Sequence, residues 1–183
     1  MWADEDPHAT VESKFQLRFS GNVWCAVLDE QLIGSFILEG RLTREAYLRF
    51  LEEELPRLLE DVPLNKRFLM YFQHDGAPPH SSCEVRNFLN YHFPGRWIGR
   101  GGPHTWPARS PDLSPLDYSV WGRMKELVYS VNVVTRDALL DRILDAADRI
   151  RNSQRKLQRI NLAVHNRAEA CDAAEGGVFE NQL

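Results

Sequence analysis

The sequence of 183 residues lacks long apolar runs, and no window approaches the ~18 consecutive apolar residues that a membrane-spanning helix needs. Its acidic start, residues 1–6, carries no apolar segment, which excludes a secretory signal there. Cysteine is scarce: Cys25, Cys83 and Cys171 are far apart and form no Cys-x-x-Cys pair, so zinc-site spacing is absent. We therefore predict free, mostly buried thiols in an intracellular protein, nuclear or cytoplasmic, that is neither secreted nor membrane-bound.

Excess positive charge is also missing, since 22 basic residues face 26 acidic ones and the formal net charge is −4. This weighs against strong autonomous nucleic-acid binding, which normally requires a basic surface. Local basic patches nevertheless occur at Arg96, Arg100 and Arg109, and again between Arg149 and Arg159. For the second patch, the neighbouring acids Asp145 and Asp148 favour a solvated helix face over a binding surface.

The hydrophobic pattern predicts an α/β fold with a helical C-terminal tail, preceded by a polar lead-in at 1–20. Strands are predicted at 22–28, 32–38, 68–73 and, briefly, 97–98. Helices are predicted from Thr43 with a kink or break at Pro56, after a Ser81–Glu84 capping box, from Ser114, from Thr135, and over 154–174. The stretch 93–111 is rich in Gly, Pro and Arg and is predicted to be mostly loop.

Two motifs place a carboxylate at the junction of two predicted elements. The first reads Gln-His-Asp-Gly-Ala-Pro-Pro-His and puts Asp75 directly after a strand-like apolar run. The second reads Ser-Pro-Asp-Leu-Ser-Pro-Leu-Asp and puts Asp117 in the first turn of a predicted helix. Carboxylate oxygens in such positions are suitable ligands for a divalent metal.

Each carboxylate also has an ordinary structural explanation. An Asp-Gly-Pro-Pro sequence is good turn chemistry, which would account for Asp75. Ser114 and Asp117 have the spacing of a capping box, and an acid in the first turn suits the helix dipole. Asp112, which follows Ser-Pro, is the rival acid in the second motif, although its position is better suited to a turn.

Taken together, the two motifs resemble the catalytic domain of mariner-like DNA transposases, and the resemblance covers nearly the whole chain. That family has an RNase H-like mixed sheet flanked by helices and uses three catalytic acids. Asp75 matches the second acid and Asp117 the third. The resemblance implies a two-metal site with Mg²⁺ or Mn²⁺, DNA cleavage and strand transfer in transposition, no small-molecule cofactor, transposon ends as the DNA partner, and a homodimer as a further partner.

The sequence departs from the family pattern in two places. Forty-one residues separate Asp75 from Asp117, more than is usual, which predicts an insertion around 93–105. The family's first acid lies on a central strand before the hairpin, and none of Asp4, Glu5, Asp6 and Glu12 matches it. We therefore expect a partial catalytic domain at 21–130 without its first strand, completed by helices at 131–183, and inactive alone. The alternatives are a non-enzymatic remnant that binds nucleic acid or protein, and a fragment of a longer enzyme.

Three residues are candidate DNA contacts. Arg100 and Arg109 belong to the basic patch before the second motif and would face phosphates. His80 would contact phosphate or position water, unless it simply packs at the helix entry beside Pro78 and Pro79. Trp106 and Trp121 have the chemistry to stack on flipped bases, but tryptophans in such positions more often anchor a core or loop.

Overall fold

The structure is a computed structural model that describes residues 19–107, 110–175, 177 and 179. The strands are β1 (Asn22–Leu28), β2 (Gln31–Leu38), β3 (Phe72–Gln73) and β4 (Trp97–Ile98). The α-helices are α1 (Arg44–Arg49), α2 (Leu55–Leu58), α3 (Leu64–Leu69), α4 (Cys83–His92), α5 (Trp121–Val128), α6 (Arg136–Arg151) and α7 (Gln154–Ala173). Two π-helical turns, Phe50–Glu54 and Leu116–Val120, continue into α2 and α5.

Strands β1 and β2 form the antiparallel hairpin that the alternating pattern predicts. A bulge interrupts the ladder after Trp24, so that Trp24 faces Phe36 while Cys25 faces Gly34. Cys25 is buried against the C-terminal helices, whereas the ring of Trp24 lies 4.8 Å from that of Phe50 on the opposite side. The hairpin therefore lies between two hydrophobic cores.

The helical segment after Thr43 begins as predicted, since the Thr43 hydroxyl accepts a hydrogen bond from the N–H of Ala46 at 3.2 Å. Pro56 does not end this segment. Instead, the chain forms a π-helical turn just before it, in which the N–H of Leu55 bonds to the carbonyl of Phe50. Because proline cannot donate to the carbonyl four residues earlier and its ring crowds that carbonyl, a wider turn accommodates it without breaking the helical path.

The prediction of a strand over 68–73 is wrong for most of its length. Residues 64–69 form α3, and only Phe72 and Gln73 are in a strand. Phe68 is 69% exposed, so the apolar run is not buried as assumed. The available partner, β4, has only two residues, and α3 satisfies its backbone groups internally, as in the bond from the N–H of Met70 to the carbonyl of Lys66.

The sheet is divided into two halves. β1 pairs only with β2, and β3 pairs in parallel only with β4, so no strand in the described ranges joins the two pairs. Two-stranded sheets are marginal alone, and here each is covered by helices.

Each half of the sheet has its own core. The hairpin packs through Cys25 and Leu32 against α5, α6 and the start of α7, where Leu157 is fully buried. The β3–β4 pair packs with α1, its π turn and α4 around Trp97, which is also fully buried. The remaining predicted helices are present, because Thr135 caps α6 and α7 covers 154–173.

Two details differ from the sequence prediction. The cap of α4 is Ser82 rather than Ser81, which belongs to a short 3₁₀ turn opened by the two prolines. The thiols are free but less buried than predicted, since Cys83 is exposed and Cys171 is half-buried.

Across the described ranges, none of the helices combines the length and apolarity needed to cross a membrane.

Replacement of Gly102 by alanine should destabilise the fold. A Cβ atom there would lie 2.7 Å from Cζ3 of Trp97, and the buried indole has little room to move. Overpacking of this kind costs roughly 1–3 kcal/mol. Gly122→Ala is the matched control, since a Cβ at this helical position meets nothing within 4 Å and should stabilise by about 0.5–1 kcal/mol. Urea unfolding of both variants measures the difference, and equal midpoints would contradict the packing described.

Candidate active site

A large cleft of about 1190 Å³ lies between the two halves of the sheet. One wall is β1, the opposite wall is β3 with the loop that follows it, and the π turn of Leu116–Val120 and part of α7 complete it. Asp75 and Asp117 both line this cleft, although forty-one residues separate them in the chain. The fold therefore brings the two predicted acids to one cavity, which no local sequence relation requires.

Asp75 lies two residues beyond the end of β3, after His74, whose N–H bonds to the carbonyl of Ile98 at 3.1 Å. One carboxylate oxygen, Oδ1, accepts the N–H of Ala77 at 3.0 Å and lies 2.6 Å from Nδ1 of His80. The hydrogen bond from His80, with that from Ala77, holds the pKa of Asp75 below its ordinary value. Because both bonds fall on the same oxygen, Oδ2 is left for other partners, and the side chain is 64% exposed.

His80 is positioned by packing as well as by this bond. Its side chain is only 17% exposed, and its ring lies 4.3 Å from the ring of Tyr47 and 5.3 Å from that of His74, almost parallel to the latter. The residue lies in the 3₁₀ turn Pro78–Ser81, at the helix entry that the sequence indicated. A ring held in this way has its Nδ1 directed at Asp75 rather than at solvent.

His74 is the buried polar residue of this region. Neither ring nitrogen has a hydrogen-bond partner among the described residues. The ring is packed edge-on against Trp97, with 5.7 Å between the two ring centroids. Burial, reinforced by the nearby His80, lowers the pKa of His74 to about 4. The absence of a side chain at Gly99 leaves room for the imidazole of His74, because a Cβ at residue 99 would lie 2.5 Å from its Cδ2. Apart from its place beside Asp75, no feature of the sequence pointed to this residue.

Asp117 lies in the second π turn, closed by a bond from the N–H of Trp121 to the carbonyl of Leu116. The Ser114–Asp117 capping box is absent, since Asp117 donates its N–H to the Ser114 carbonyl at 3.0 Å rather than to the hydroxyl. Pro115, already helical, occupies the cap position instead. The exposed carboxylate of Asp117 is therefore not engaged in capping the helix through Ser114.

The rival acid Asp112 lies in the 3₁₀ turn Pro111–Leu113 and is not among the described residues that line the cleft. Its carbonyl accepts a hydrogen bond from Arg167 at 3.0 Å, and the same guanidinium lies 4.2 Å above the ring of Tyr118. Asp112 therefore belongs to the contact between its turn and α7. Of the two acids, Asp117 has the position that the proposed site requires.

The basic residues before the second motif divide into two kinds. Arg100 is exposed and lines the cleft, where a phosphate could reach it. Arg96 is half-buried and donates to the carbonyls of Arg67 and Met70, so it serves the fold. Arg109 lies outside the described residues, and its predicted DNA contact stays a prediction.

Trp106 and Trp121 both line the cleft and are half-buried. Each therefore has part of its ring against the protein and part towards the cavity, as an anchor or a stacking surface would. Their contact with bases stays a prediction.

The described residues contain no group of three or more His, Cys, Asp or Glu side chains arranged to hold a metal ion. Asp75 and Asp117 supply carboxylate oxygens to one cleft, which is the donor type that Mg²⁺ and Mn²⁺ prefer. Their carboxylates are therefore suitable ligands for such an ion, but two side chains are few for a complete coordination shell.

Comparisons with known proteins give one curated relative. The chain is 29% identical over 136 residues to the transposable element Tc3 transposase of Caenorhabditis elegans, a match that covers 73% of this chain and 38% of that protein. The chain thus spans well under half the length of the relative. No family model matches the chain.

Several solved structures of Mos1 transposase share the fold of this chain. The Mos1 catalytic domain with raltegravir and Mn is 22% identical with a TM-score of 0.68, covering 89% of this chain and 85% of that one. A Mos1 mariner paired-end complex with Mn is 22% identical with a TM-score of 0.70, covering 97% of this chain and 51% of that one. A further Mos1 complex contains the left transposon end. The predicted fold is confirmed, since the chain has the fold of the Mos1 transposase catalytic domain, and its sequence is similar to that of a transposase.

Protonation of His74 should make the fold acid-sensitive. Its pKa falls from 6.5 to about 4 on folding, so the unfolded chain binds the extra proton between these values. The stabilisation is complete above pH 6.5 and is lost as the pH falls towards 4, by up to about 3 kcal/mol. Urea unfolding in EDTA across this range measures the slope. His74→Phe should flatten it and His165→Gln, at an exposed site, should not; an unchanged slope in His74→Phe would refute the assignment.

Proposed function

We propose that this chain, a mariner-like transposase catalytic domain by sequence and fold, takes part in metal-dependent cleavage and joining of DNA strands. The proposal depends on one observation above all, namely that Asp75 and Asp117 line the same cleft. These are also the residues that match the second and third acids of the family. Because the chain spans only 38% of its curated relative, the activity of the whole protein is part of the proposal.

In this proposal Asp75 and Asp117 hold Mg²⁺ or Mn²⁺ through their carboxylates. Such an ion, when bound, would activate water or a DNA 3′ hydroxyl for in-line attack on phosphorus. The chain's own contribution is orientation: Asp75 directs Oδ2 outwards because Oδ1 is held by Ala77 and His80. The π turn contributes Asp117 from the other wall of the cleft.

His80 is better suited to positioning Asp75 than to contacting phosphate directly. Its ring is mostly buried, and the nitrogen nearest the cleft carboxylate is already directed at Oδ1. A hydrogen bond to the carboxylate orients a metal ligand and tunes its basicity, and the loss of such a partner typically weakens metal binding 10–100-fold. Arg100, which is exposed on the cleft wall, is the stronger candidate for a phosphate contact.

DNA is the proposed partner, in the form of transposon ends, and a homodimer is the proposed assembly, since related Mos1 structures are paired-end complexes. A DNA substrate inside the cell requires an intracellular protein, nuclear or cytoplasmic. Residues 131–183 are proposed as helices of the same domain as 21–130. Cys25 and Leu32 of the first range share one hydrophobic core with Ile143 and Leu157 of the second, which supports placing both ranges in one domain.

A second function is a nucleic-acid or protein binding module without catalysis. The observation that favours it is that the described residues contain no group of three or more His, Cys, Asp or Glu side chains arranged to hold a metal ion. A metal held by two carboxylates alone would be weakly bound. The two functions differ in whether the cleft binds metal and whether DNA is cut.

Substitution of either acid should weaken metal binding to the isolated chain. Each of Asp75→Asn and Asp117→Asn removes one charged oxygen ligand, and we expect Mn²⁺ affinity to fall about tenfold or more, measured by isothermal titration calorimetry. Asp112→Asn is the matched control and should bind as the parent does. If Asp112→Asn weakens binding while Asp117→Asn does not, the third acid has been misassigned.

The chain alone should not nick supercoiled plasmid with Mg²⁺ or Mn²⁺, because two carboxylates leave a pair of metals short of ligands. Agarose-gel analysis of plasmid topology measures this directly. Nicking that disappears in Asp75→Asn would show that the chain is active and that the site is correct. Nicking that persists in Asp75→Asn would argue against the site itself.

Substitutions of His80 should separate positioning from packing. Asn places an amide N–H near the position of Nδ1, whereas Gln places it near Nε2. His80→Asn should therefore retain Mn²⁺ affinity to within a few-fold, and His80→Gln should lose about 10–100-fold. Calorimetry on both variants, with urea midpoints to compare their stability, tests this. Equal losses in the two variants would show that the hydrogen bond to Asp75 is unimportant.

A further inference from the structure

A second cavity, of about 340 Å³, lies on another face of the molecule among α5, the end of α6 and the start of α7. We call it the basic pocket, defined by its four cationic residues Arg123, Arg149, Lys156 and Arg159. Its floor is apolar, and the floor residues Val120 and Leu157 are buried in the core. The pocket thus combines a rigid apolar base with a rim of one charge.

The four cations differ in how far they are already neutralised. Arg149 pairs with Asp145 at 2.9 Å and Arg123 with Glu126 at 2.7 Å, both on the exposed surface. No carboxylate of the described residues lies within ion-pair distance of Lys156 or Arg159. The sequence predicted a solvated helix face balanced by acids, and this holds for Arg149 but not for the two residues on α7. Two uncompensated positive charges therefore face the pocket.

The basic pocket adjoins the acidic cleft without being part of it. Asp117 of the π turn lines the cleft, while Ser119 and Val120 of the same turn line the pocket. Likewise Asn161 of α7 lines the cleft and Ile160 lines the pocket. The π turn and α7 therefore border both cavities, with Asp117 lining the cleft and Lys156 and Arg159 lining the basic pocket.

We propose that the basic pocket binds a phosphate group of the DNA backbone. Lys156 offers a compact ammonium and Arg159 a forked guanidinium, and both groups bind phosphate oxygens well. The apolar floor suits the deoxyribose next to such a phosphate. This site deepens the proposed function, because it depends on DNA being the partner, but it does not depend on metal binding in the cleft.

The test compares two double variants with the same change in charge. Lys156→Gln/Arg159→Gln removes the two free cations of the pocket. Lys125→Gln/Arg136→Gln is the control, since both residues are exposed on neighbouring helices and neither is among the described residues that line the pocket. Binding of the whole chain to a fluorescein-labelled DNA duplex is followed by anisotropy in EDTA over a series of salt concentrations.

The pocket variant should lose about tenfold in affinity at low salt, and the slope of log K against log salt should become shallower by about one, since the one phosphate contact that is lost contributes ~0.9. The control should lose less than about twofold and keep its slope. Equal losses in both variants would mean that only overall charge matters and would overturn the proposal. Matching urea midpoints ensure that neither variant is merely unfolded.

Two further arms separate this proposal from its alternatives. The comparison is repeated in an Asp75→Asn/Asp117→Asn background, where a persistent difference supports a phosphate site independent of the metal site. A difference that vanishes there would overturn that independence. A labelled poly-glutamate peptide replaces DNA in the last arm. If the peptide binds with the same dependence on Lys156 and Arg159 while DNA does not, the pocket recognises an acidic protein segment and the DNA proposal is wrong.

Discussion

The placement of Asp75 depends on a parallel pairing of β3 with β4 that is only two residues long. So short a ladder needs support from packing, and Trp97 on β4 provides it, being fully buried with its indole N–H bonded to Asn90 at 2.9 Å. Gly99 and Gly102 allow the following loop to approach His74 and the indole closely. Asp75 is thus held in place by the buried aromatic core around Trp97 rather than by an extensive sheet. Substitutions that disturb this core would therefore alter the site directly.

The carboxylate of Asp117 is held in place by different contacts. Asp117 lies in a π turn whose neighbour Tyr118 donates its hydroxyl to the carbonyl of Ile160 on α7 at 2.6 Å. Arg151 at the end of α6 bonds to the carbonyls of Leu32 and Gly34 and so ties the hairpin to the same helices. Since no described strand joins the two sheet halves, these helical contacts fix one wall of the cleft independently of the other. The separation between the two acids is therefore a property of the whole domain.

The parts of the fold that follow from local patterns could be predicted from the sequence. The hairpin, the caps at Thr43 and Thr135, and the long helix α7 depend on alternation, capping chemistry and helical periodicity, all of which act over a few residues. The run at 68–73 could not, because its choice between strand and helix depends on a partner strand distant in the sequence. Likewise, the motifs indicated Asp75 and Asp117, but the bond from His80 to Oδ1 arises from a 3₁₀ turn that the pattern does not specify.

Net charge is a coarse measure of the capacity to bind nucleic acid, for a related physical reason. A total of −4 counts every arginine equally, yet Arg96 and Arg151 donate to backbone carbonyls and serve the fold. Lys156 and Arg159, by contrast, have no ion pair among the described residues and border one cavity. Since the Debye length at physiological salt is about 8 Å, a phosphate responds to the charges that surround it rather than to the total. A net-acidic domain can therefore bind a phosphate wherever uncompensated cations are concentrated.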